Sequence, residues 1–316
     1  MRILLTAPYH EEGQQILKDE LGEVIVRPWK DNGRAFNANE LIALLKETEA
    51  EALITEHDLV TAEVINAFPN LQFIGVCRGT PSNVDLEAAK AQGIPVFHTP
   101  ARNAQAVAEL FIATVIDMLR FVIPGTNWLE AGKWGAGAHT SYLQFKGNEL
   151  AGKTIGMVGF GAVGRRIAEM VQNFPCKIKF YDPYLTMFDP SYEKTSLEAI
   201  FEESDIVSIH LPVTPDTIGM IDAKLISRMK KDAIFVNTAR ASVVIREDLL
   251  YALENNLIRG AVLDVFDHEP PDETDQKMIN LPNVLATPHI AGATHEVESH
   301  HVEILNKKIF EHFANA

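Results

Sequence analysis

The chain has 316 residues, of which 47% are hydrophobic and 22% charged, a composition typical of globular proteins rather than of disordered or fibrous ones. That length exceeds a single core of ordinary size and favours two domains. Acidic residues outnumber basic ones 43 to 28, and the formal charge of -15 disfavours nucleic acid and anionic membrane surfaces as partners.

Cysteine usage and hydropathy point to a cytoplasmic protein. Cys77 and Cys176 are too few for a disulfide framework and neither lies in a CxxC arrangement, which favours a reducing compartment. The apolar run at the N-terminus is too short for a signal-peptide core. The longest apolar region, "ELFIATVIDMLRFVI", is interrupted by Asp117 and Arg120, so it predicts a buried helix rather than a membrane span.

Short β-rich runs alternate with helical patterns from the first residue. The runs "ILLTA", "EVIVR", "ALIT", "FIGV" and "IPVF" are separated by stretches such as "NELIALLKE" and "TAEVINAF". This alternation is typical of βα units and predicts a parallel sheet.

A second alternating series follows a long helical candidate, "NAQAVAELFIATVIDMLRFV", and a Gly-rich connection. Its strands are "TIGMVG", "IKFYD", "DIVSIH", "AIFVN", "GAVLDVF" and "NVLATP", and the chain ends in a helical segment with no strand left to pair. We therefore predict two parallel-sheet domains, with residues 99–290 forming a nucleotide-binding domain inserted into a domain of residues 1–98 and 291–316. Two crossings between the domains also predict a hinge and a ligand-binding cleft.

The inserted domain begins with a GxGxxG turn between a strand and a helix. Gly159 permits the tight turn, Gly161 lets the backbone approach a pyrophosphate, and Gly164 lets the helix pack closely on the strand. The helix N-terminus then offers free N–H groups and a positive dipole end to phosphate.

Asp182 ends the next strand, at about the separation expected of a carboxylate that binds an adenosine ribose. It would repel a 2′-phosphate, which favours NAD over NADP. The alternatives are a purely structural Gly turn or the similar loop of a methyltransferase.

Three polar residues follow later strands, where open α/β sheets bind ligands. They are Arg240 in "AIFVNTARAS", Glu269 in "GAVLDVFDHEP" and His289 in "NVLATPHIAGAT". Taken singly, each has an ordinary explanation as a surface residue, a loop charge before Pro270 and a helix N-terminal residue.

Together with these motifs, "HLPVTPDTIGMI", "CRGTPSNVD" and "TPARNAQAVAE" give the chain a resemblance to the D-isomer-specific 2-hydroxyacid dehydrogenases, including D-3-phosphoglycerate dehydrogenases, over nearly its whole length. The resemblance implies an α/β fold with two doubly wound parallel-sheet domains, a Rossmann NAD-binding domain inserted into a flavodoxin-like substrate domain. It also implies a homodimer formed through the nucleotide domain and its long helix, and no metal site.

Carried over by motif, His289 is the acid/base, Glu269 its partner and Arg240 the substrate carboxylate anchor. Hydride transfer to a 2-keto acid leaves negative charge on the carbonyl oxygen, which needs a proton donor, and a neighbouring carboxylate favours the protonated imidazole. Besides the three glycines and Asp182, the resemblance implies cofactor contacts at Phe160, Ala162, Val163, His210, Leu211, Pro212, Thr217, Thr238, Ala239, Arg240, Asp264, His289 and Gly292. Asp264 has an alternative role as a strand-end cap, and His210 is interpreted as a wall residue rather than a second acid/base.

In the first domain, Arg78, Gly79 and Thr80 resemble the loop whose N–H groups receive the substrate carboxylate. The chain departs from the family pattern at Ala241, where Gly is common after the catalytic Arg, and at Arg78 and Pro81, where relatives often have smaller residues. Arg78 either forms an internal ion pair or binds a second anionic group such as a phosphate.

The resulting hypothesis is an NAD-dependent oxidoreductase that interconverts a small-molecule 2-keto acid and a D-2-hydroxy acid, with a 3-phosphoglycerate-like substrate among the options. Glyoxylate or hydroxypyruvate reduction is the nearest alternative. Formate oxidation is disfavoured because formate dehydrogenases that resemble the family carry Gln at the position of Glu269. A further alternative is a non-catalytic, NAD-sensing interaction module of the same fold.

Overall fold

The computed structural model describes residues 1–135 and 137–314, which form two compact units. The first unit runs from Met1 to Asn103 and resumes at Ala293, and the second spans Ala104–Gly292. The second unit is expected from the sequence at residues 99–290, so each observed bound differs from the expected one by a few residues. Residues just beyond 98 belong to the first unit because Arg102 pairs there with the Glu56 carboxylate at 2.9 Å.

The first unit contains one parallel sheet of five strands. They are β1 (Arg2–Leu5), β2 (Glu23–Val26), β3 (Ala52–Thr55), β4 (Ile74–Val76) and β5 (Val96–His98). Their order, β2-β1-β3-β4-β5, is that of flavodoxin-like sheets. Strands β3 and β4 are buried throughout, which explains why they read as continuous apolar runs rather than alternating ones.

Five helices cover this sheet, and their caps explain several of their boundaries. They are α1 (Glu11–Leu21), α2 (Ala38–Thr48), α3 (Ala62–Ala67), α4 (Leu86–Ala91) and, from the end of the chain, α13 (His295–Ala314). Helix α2 begins with a reciprocal capping box between Asn37 and Glu40. Helix α13 buries Val302, Leu305 and Ile309 in the core of this unit, as expected of a terminal helix that needs an existing core.

The second unit contains a parallel sheet of seven strands. They are β6 (Thr154–Val158), β7 (Lys177–Tyr181), β8 (Glu193–Lys194), β9 (Ile206–Ile209), β10 (Ile234–Asn237), β11 (Gly260–Leu263) and β12 (Val284–Ala286). Their order is β12-β11-β10-β9-β6-β7-β8, the doubly wound Rossmann arrangement with one additional strand at the β12 edge. The predicted fold class is therefore confirmed for both sheets.

Eight α-helices belong to the described part of the second unit. They are α5 (Ala104–Arg120), α6 (Val122–Glu130), α7 (Gly137–Gln144), α8 (Ala162–Met170), α9 (Leu197–Glu203), α10 (Ala223–Ile226), α11 (Arg246–Glu254) and α12 (Glu273–Ile279). Helix α5 is the long helix expected from sequence, and it buries Phe111, Val115 and Leu119 against the sheet. The segment expected as a Gly-rich connection instead contains α7 and the C-terminal end of α6. Helix α6 tolerates Pro124 because this residue lies in its first turn, where the backbone N–H has no partner within the helix.

Helix α8 is shorter than the apolar periodicity after the Gly turn indicates. The α-helix ends at Met170, and a short 3₁₀ turn follows it over Val171–Asn173. Within the described residues, no helix combines the length and apolar character needed to span a bilayer.

Candidate active site

The candidate catalytic residues of the second unit follow three adjacent strands. Arg240 comes three residues after β10, Glu269 lies in the loop after β11, and His289 comes three residues after β12. Strand β11 pairs in parallel with both neighbours, so these loops leave the same edge of the sheet. The topology thus gathers at one edge residues that are up to about fifty positions apart in sequence.

His289 and Glu269 form a direct pair. His289 Nδ1 lies 2.8 Å from one carboxylate oxygen of Glu269 and 3.0 Å from the other. The Phe266 N–H donates to the same carboxylate at 3.3 Å. Both side chains remain about half exposed, at 49% for His289 and 43% for Glu269, so a small molecule can reach the imidazole. Since Nδ1 is occupied by the carboxylate, Nε2 is the nitrogen left to exchange a proton with a ligand.

The pair lines a pocket of about 360 Å³, whose remaining walls are largely apolar and include Phe266, Pro270 and Ile279. An apolar wall lowers the local dielectric response and strengthens an ionic hydrogen bond between imidazolium and carboxylate.

Asp264, the first residue after β11, holds the backbone segment that carries His289. Its side chain is fully buried, and one carboxylate oxygen accepts hydrogen bonds from the Thr287 hydroxyl at 2.6 Å and the Ile290 N–H at 2.8 Å. The second oxygen accepts from the Ala291 N–H at 2.8 Å. His289 sits between these donors in the left-handed region, at φ 53°, which a non-glycine residue adopts only when its surroundings enforce it. The contacts of Asp264 correspond to the strand-end cap, and its contact with nicotinamide stays a prediction.

Arg240 is placed by a turn that Asn237 organises. The Asn237 amide donates to the Arg240 carbonyl at 3.0 Å and its oxygen accepts from the Ala239 N–H at 3.0 Å. The Arg240 side chain is exposed, and its guanidinium donates to the Ala239 carbonyl at 2.6 Å. No carboxylate lies within ion-pair distance of Arg240 among the described residues, so its charge is available to an anionic ligand.

The glycine turn has the geometry that its sequence predicts. Gly159 has φ 88°, and a Cβ added there would lie 2.8 Å from the His210 carbonyl oxygen. A Cβ on Gly164 would lie 3.1 Å from the Gly159 carbonyl oxygen, which reflects close packing of α8 on the strand. A Cβ on Gly161, in contrast, would meet nothing within 4 Å, and Gly161 caps α8 without a side-chain hydrogen bond.

Asp182 connects the end of β7 to this turn. One carboxylate oxygen accepts from the Phe160 N–H at 3.0 Å, and the other accepts from the N–H groups of Tyr184 and Leu185 at 3.0 and 3.1 Å. The side chain is only partly buried, so its oxygens retain lone pairs that a ribose hydroxyl could use.

The remaining predicted cofactor positions line the loops after β9 and β10. Burial lowers the pKa of His210 to about 4, so this ring is neutral near pH 7, in agreement with a wall residue. Its Nε2 lies 2.9 Å from the Ser208 hydroxyl. The Thr217 hydroxyl donates to the Pro212 carbonyl at 2.7 Å and so closes the loop that begins with the buried Leu211.

An orphaned polar atom marks the same edge of the sheet. Thr238 is buried next to the end of β10, and its hydroxyl has no hydrogen-bond partner within the described chain. A buried hydroxyl without a partner is costly, and a ligand that accepts or donates a hydrogen bond there would remove the cost. The open space at Gly161, the uncapped α8 N-terminus and this hydroxyl together fit a dinucleotide with its pyrophosphate at the glycine turn. The cofactor-binding positions Ala162 and Val163 begin α8, and Gly292 ends the second unit.

The predicted substrate loop lies in the first unit, directly after β4. Gly79 and Thr80 are exposed, and neither N–H donates to an acceptor in the portion of the chain described. Arg78 places Nη1 3.4 Å from His57 Nδ1, and its carbonyl accepts from the Thr99 N–H at 2.9 Å. Burial, followed by the nearby Arg78 and Arg102 charges, lowers the pKa of His57, with Glu56 opposing the shift.

Sequence reasoning missed the residues that position this site. Asn237 could have been noticed as a polar residue that ends an apolar strand, and Asp272 as an N-cap followed by an acidic residue at the third position of α12. The partners of Asp264 carry no local signal. One cluster of the described residues, His268, Asp272 and Asp275, has ligand-type atoms within 4.8 Å of one another, but the Arg246 guanidinium already contacts both acids.

The chain is similar to known proteins both in sequence and in structure. Residues 112–291 match the profile described as the NAD binding domain of the D-isomer specific 2-hydroxyacid dehydrogenases. The chain is 58% identical to YoaD of Bacillus subtilis, named as a candidate 2-hydroxyacid dehydrogenase, over 98% of this chain and 90% of that protein. It is 35% identical to a hydroxypyruvate reductase of Thermotoga maritima, over 98% of this chain and 97% of the relative. Among solved structures, a D-lactate dehydrogenase from Aquifex aeolicus, complexed with NAD and lactic acid, superposes with a TM-score of 0.76 at 25% identity, covering 100% of this chain and 96% of the other.

Proposed function

The chain belongs to the D-isomer specific 2-hydroxyacid dehydrogenase family and is an NAD-dependent oxidoreductase of that family, and we propose that His289, Glu269 and Arg240 carry out its chemistry. The substrate pair is a D-2-hydroxy acid and the corresponding 2-keto acid. A bound nicotinamide supplies or accepts the hydride at C2 of this substrate.

His289 exchanges the proton. In the direction of reduction, Nε2–H donates to the oxygen that gains negative charge as the carbonyl is reduced, and in oxidation Nε2 removes the hydroxyl proton. Glu269 holds Nδ1–H at 2.8 Å, which fixes the ring orientation and stabilises the imidazolium. The contact of Nδ1 with Glu269 therefore leaves Nε2 to exchange the proton with the substrate oxygen.

Arg240 binds the substrate carboxylate. Its exposed guanidinium can form two parallel hydrogen bonds to a carboxylate, which fixes both the position and the rotation of the acid. We propose the loop of Arg78, Gly79 and Thr80 as a substrate-binding element of the first unit. The N–H groups of Gly79 and Thr80 donate to no acceptor among the described residues, so they can donate to a carboxylate oxygen.

The observation that carries the proposal is the contact of Glu269 with Nδ1 of a half-exposed His289, which leaves Nε2 for substrate. The test is His289→Asn, since Asn tolerates the left-handed backbone of this position. We expect kcat to fall about 10²-fold or more, with little change in NADH affinity. Exposed His295→Asn is the control. Unchanged turnover in His289→Asn would remove the acid/base role.

We propose a small 2-keto acid as substrate, because the hydroxypyruvate reductase relative matches over nearly its full length. Steady-state assays with glyoxylate, pyruvate, hydroxypyruvate and phosphohydroxypyruvate test this class. A higher kcat/KM for the phosphorylated acid would favour the 3-phosphoglycerate-like alternative. Tight NADH binding with no oxidation by any acid would favour the NAD-sensing module instead.

NAD is proposed over NADP because Asp182 places a carboxylate at the end of β7, where a 2′-phosphate would be repelled. The two free cysteines support a reducing, cytoplasmic location, and the net charge of -15 disfavours nucleic acid as a partner.

A homodimer is proposed from an exposed apolar arm in the second unit. No residue of α6 is buried. Six large apolar side chains in α6, in α7 and in the segment that joins them are half exposed or more: Val122, Ile123, Leu129, Trp134, Tyr142 and Leu143. Such a concentration of apolar surface is typical of a protein interface. Light scattering coupled to size exclusion tests the proposal, and a monomer at micromolar concentration would contradict it.

A further inference from the structure

The Glu269 carboxylate is half exposed, yet it must keep two short contacts to His289. A Glu side chain loses considerable rotamer freedom when it is fixed, so its backbone has to be held firmly for the pair to persist. The loop that carries Glu269 connects β11 to α12 over residues 264–272. The contact between Glu269 and His289 therefore depends on whatever fixes this loop on the side away from His289.

The anchor is Arg246, the first residue of α11. Its Nη1 lies 2.9 and 3.1 Å from the two carboxylate oxygens of Asp272, three residues after Glu269. Its Nε lies 3.4 Å from Asp267, two residues before Glu269. The Arg246 side chain is only 18% exposed, so these contacts are poorly screened by solvent.

A buried carboxylate completes the network. Asp275 is 1% exposed and accepts from Arg246 Nη1 at 3.2 Å and from the His268 N–H at 3.0 Å. It also accepts from the Asp272 N–H at 3.4 Å, and its own N–H donates to the Asp272 carboxylate at 2.8 Å. His268 lies immediately before Glu269, so the loop is tied on both flanks to one guanidinium and one buried acid.

The charges show why the guanidinium is needed. Asp267, Asp272 and Asp275 face Arg246 from the loop and from α12, Glu247 faces it from α11 at 3.2 Å, and the His268 ring lies 3.4 Å away. The Asp275 N–H and the Arg246 guanidinium help to lower the pKa of Asp272 to about 2, so this acid is ionised at neutral pH. Without Arg246, three loop and helix carboxylates would repel one another beside Glu269.

We propose that Arg246 is a positioning residue for the reaction, which acts by holding the Glu269 loop so that the carboxylate stays on His289. This inference rests on the proposed roles of Glu269 and His289. Arg246 touches neither substrate nor cofactor in this scheme, and its effect reaches the chemistry through the loop backbone. In this scheme the Arg246 guanidinium supplies positive charge to the two acids of the His268, Asp272 and Asp275 cluster.

The test compares Arg246→Gln with Arg228→Gln in the holoenzyme. Arg228 is a matched control, because it forms an exposed ion pair with Glu202 in the same unit. The readout is the pH dependence of kcat/KM for 2-keto acid reduction at saturating NADH, whose basic limb follows loss of the proton donor before the keto acid binds. NADH affinity and Tm are measured beside it.

The positioning role and a purely electrostatic role predict opposite shifts. If Glu269 leaves His289, the imidazolium loses its partner, so the basic limb moves to lower pH, by about half a unit or more. If Arg246 acts only as a distant positive charge, its removal favours the imidazolium and moves the limb to higher pH. We expect the downward shift in Arg246→Gln, with kcat/KM reduced about tenfold to hundredfold, and neither change in Arg228→Gln.

Two further variants keep the test decisive. Arg246→Lys retains the positive charge, but its ammonium group cannot contact Asp267 and Asp272 at once as the planar guanidinium does. The basic limb of this variant should therefore shift downward by less than that of Arg246→Gln, and the variant remains informative if Arg246→Gln folds poorly. In a Glu269→Gln background, Arg246→Gln should cause no additional shift, because its effect passes through Glu269. An unshifted or upward-shifted limb overturns the inference. A wild-type enzyme that reduces no 2-keto acid, or shows no such limb, overturns the proposed function instead.

Discussion

Asp264→Asn tests whether the fully buried Asp264 anchors the His289 segment. The substitution keeps the shape of the side chain and one carbonyl oxygen but replaces the other oxygen with an NH₂ group. If the retained oxygen serves Thr287 and Ile290, the NH₂ faces the Ala291 N–H, which then loses its acceptor. If the amide flips, two donors lose their acceptor instead of one, so the first arrangement is the less costly.

The size of the effect follows from these contacts. A buried donor without a partner costs about 1–3 kcal/mol, and the two remaining bonds weaken because they no longer end on a charged oxygen. We expect the free energy of unfolding to fall by about 2–3 kcal/mol. For a unit of this size each kcal/mol corresponds to about 2–4 °C, so Tm should fall by about 4–12 °C.

The assay combines thermal unfolding, NADH titration and turnover. Loss of the anchor releases the strained backbone of His289, so kcat should fall while NADH affinity changes by less than about threefold. Exposed Asp232→Asn removes the same charge without a buried partner and serves as the control. Thr287→Val added to Asp264→Asn should destabilise by less than Thr287→Val alone, since the two residues share one hydrogen bond.

The result that would refute this reasoning is an unchanged Tm with a large loss of NADH affinity. That outcome would assign Asp264 to direct cofactor binding, as the family resemblance implies, and would make its three donors incidental.

Three other predictions concern the glycine turn, the Asp182 carboxylate and the buried His301. Gly161→Ala should weaken NADH binding about tenfold or more at unchanged Tm, because its Cβ meets only open space, whereas Gly164→Ala should lower Tm because its Cβ lies 3.1 Å from a carbonyl oxygen. Asp182→Ala should raise the NADP to NAD ratio of kcat/KM, and an unaltered ratio would count against the ribose contact. Burial lowers the pKa of His301 to about 4, so the unfolded state binds the proton more readily and the free energy of unfolding should fall as pH drops from about 6.5 to 4. Urea midpoints across this range should vary less in His301→Gln, and an identical pH dependence would contradict the assignment.

The fold was largely predictable from sequence because parallel strands are buried on both faces. Such strands read as short apolar runs, and both series of runs are visible in the order of the residues alone. The strand that escaped prediction, β8, is the two-residue edge pair Glu193 and Lys194, which is exposed and polar and therefore carries no apolar signal. The helices α6 and α7 escaped for a related reason, since no residue of α6 is buried and Tyr142 and Leu143 of α7 are exposed.

The candidate site was predictable only in part. Arg240, Glu269 and His289 follow apolar strands, and the carboxyl ends of parallel strands share one edge, so their assembly follows from topology. Their supporting residues act over longer distances. Arg246 lies 26 positions from Asp272, and Asp264 lies 23 positions from Thr287, so neither contact leaves a periodic or local pattern.

Two buried carboxylates, Asp264 and Asp275, support the half-exposed pair of His289 and Glu269. Burying a carboxylate is costly, and well-packed apolar replacements of buried ionic groups are often neutral or stabilising. Hydrophobic side chains, however, cannot fix the direction of a loop backbone as hydrogen bonds to specific N–H groups do. Stability alone would therefore not retain both acids, whereas a requirement to keep Glu269 within hydrogen-bond distance of His289 would. A replacement that restores Tm at Asp275 should for this reason still fail to restore turnover.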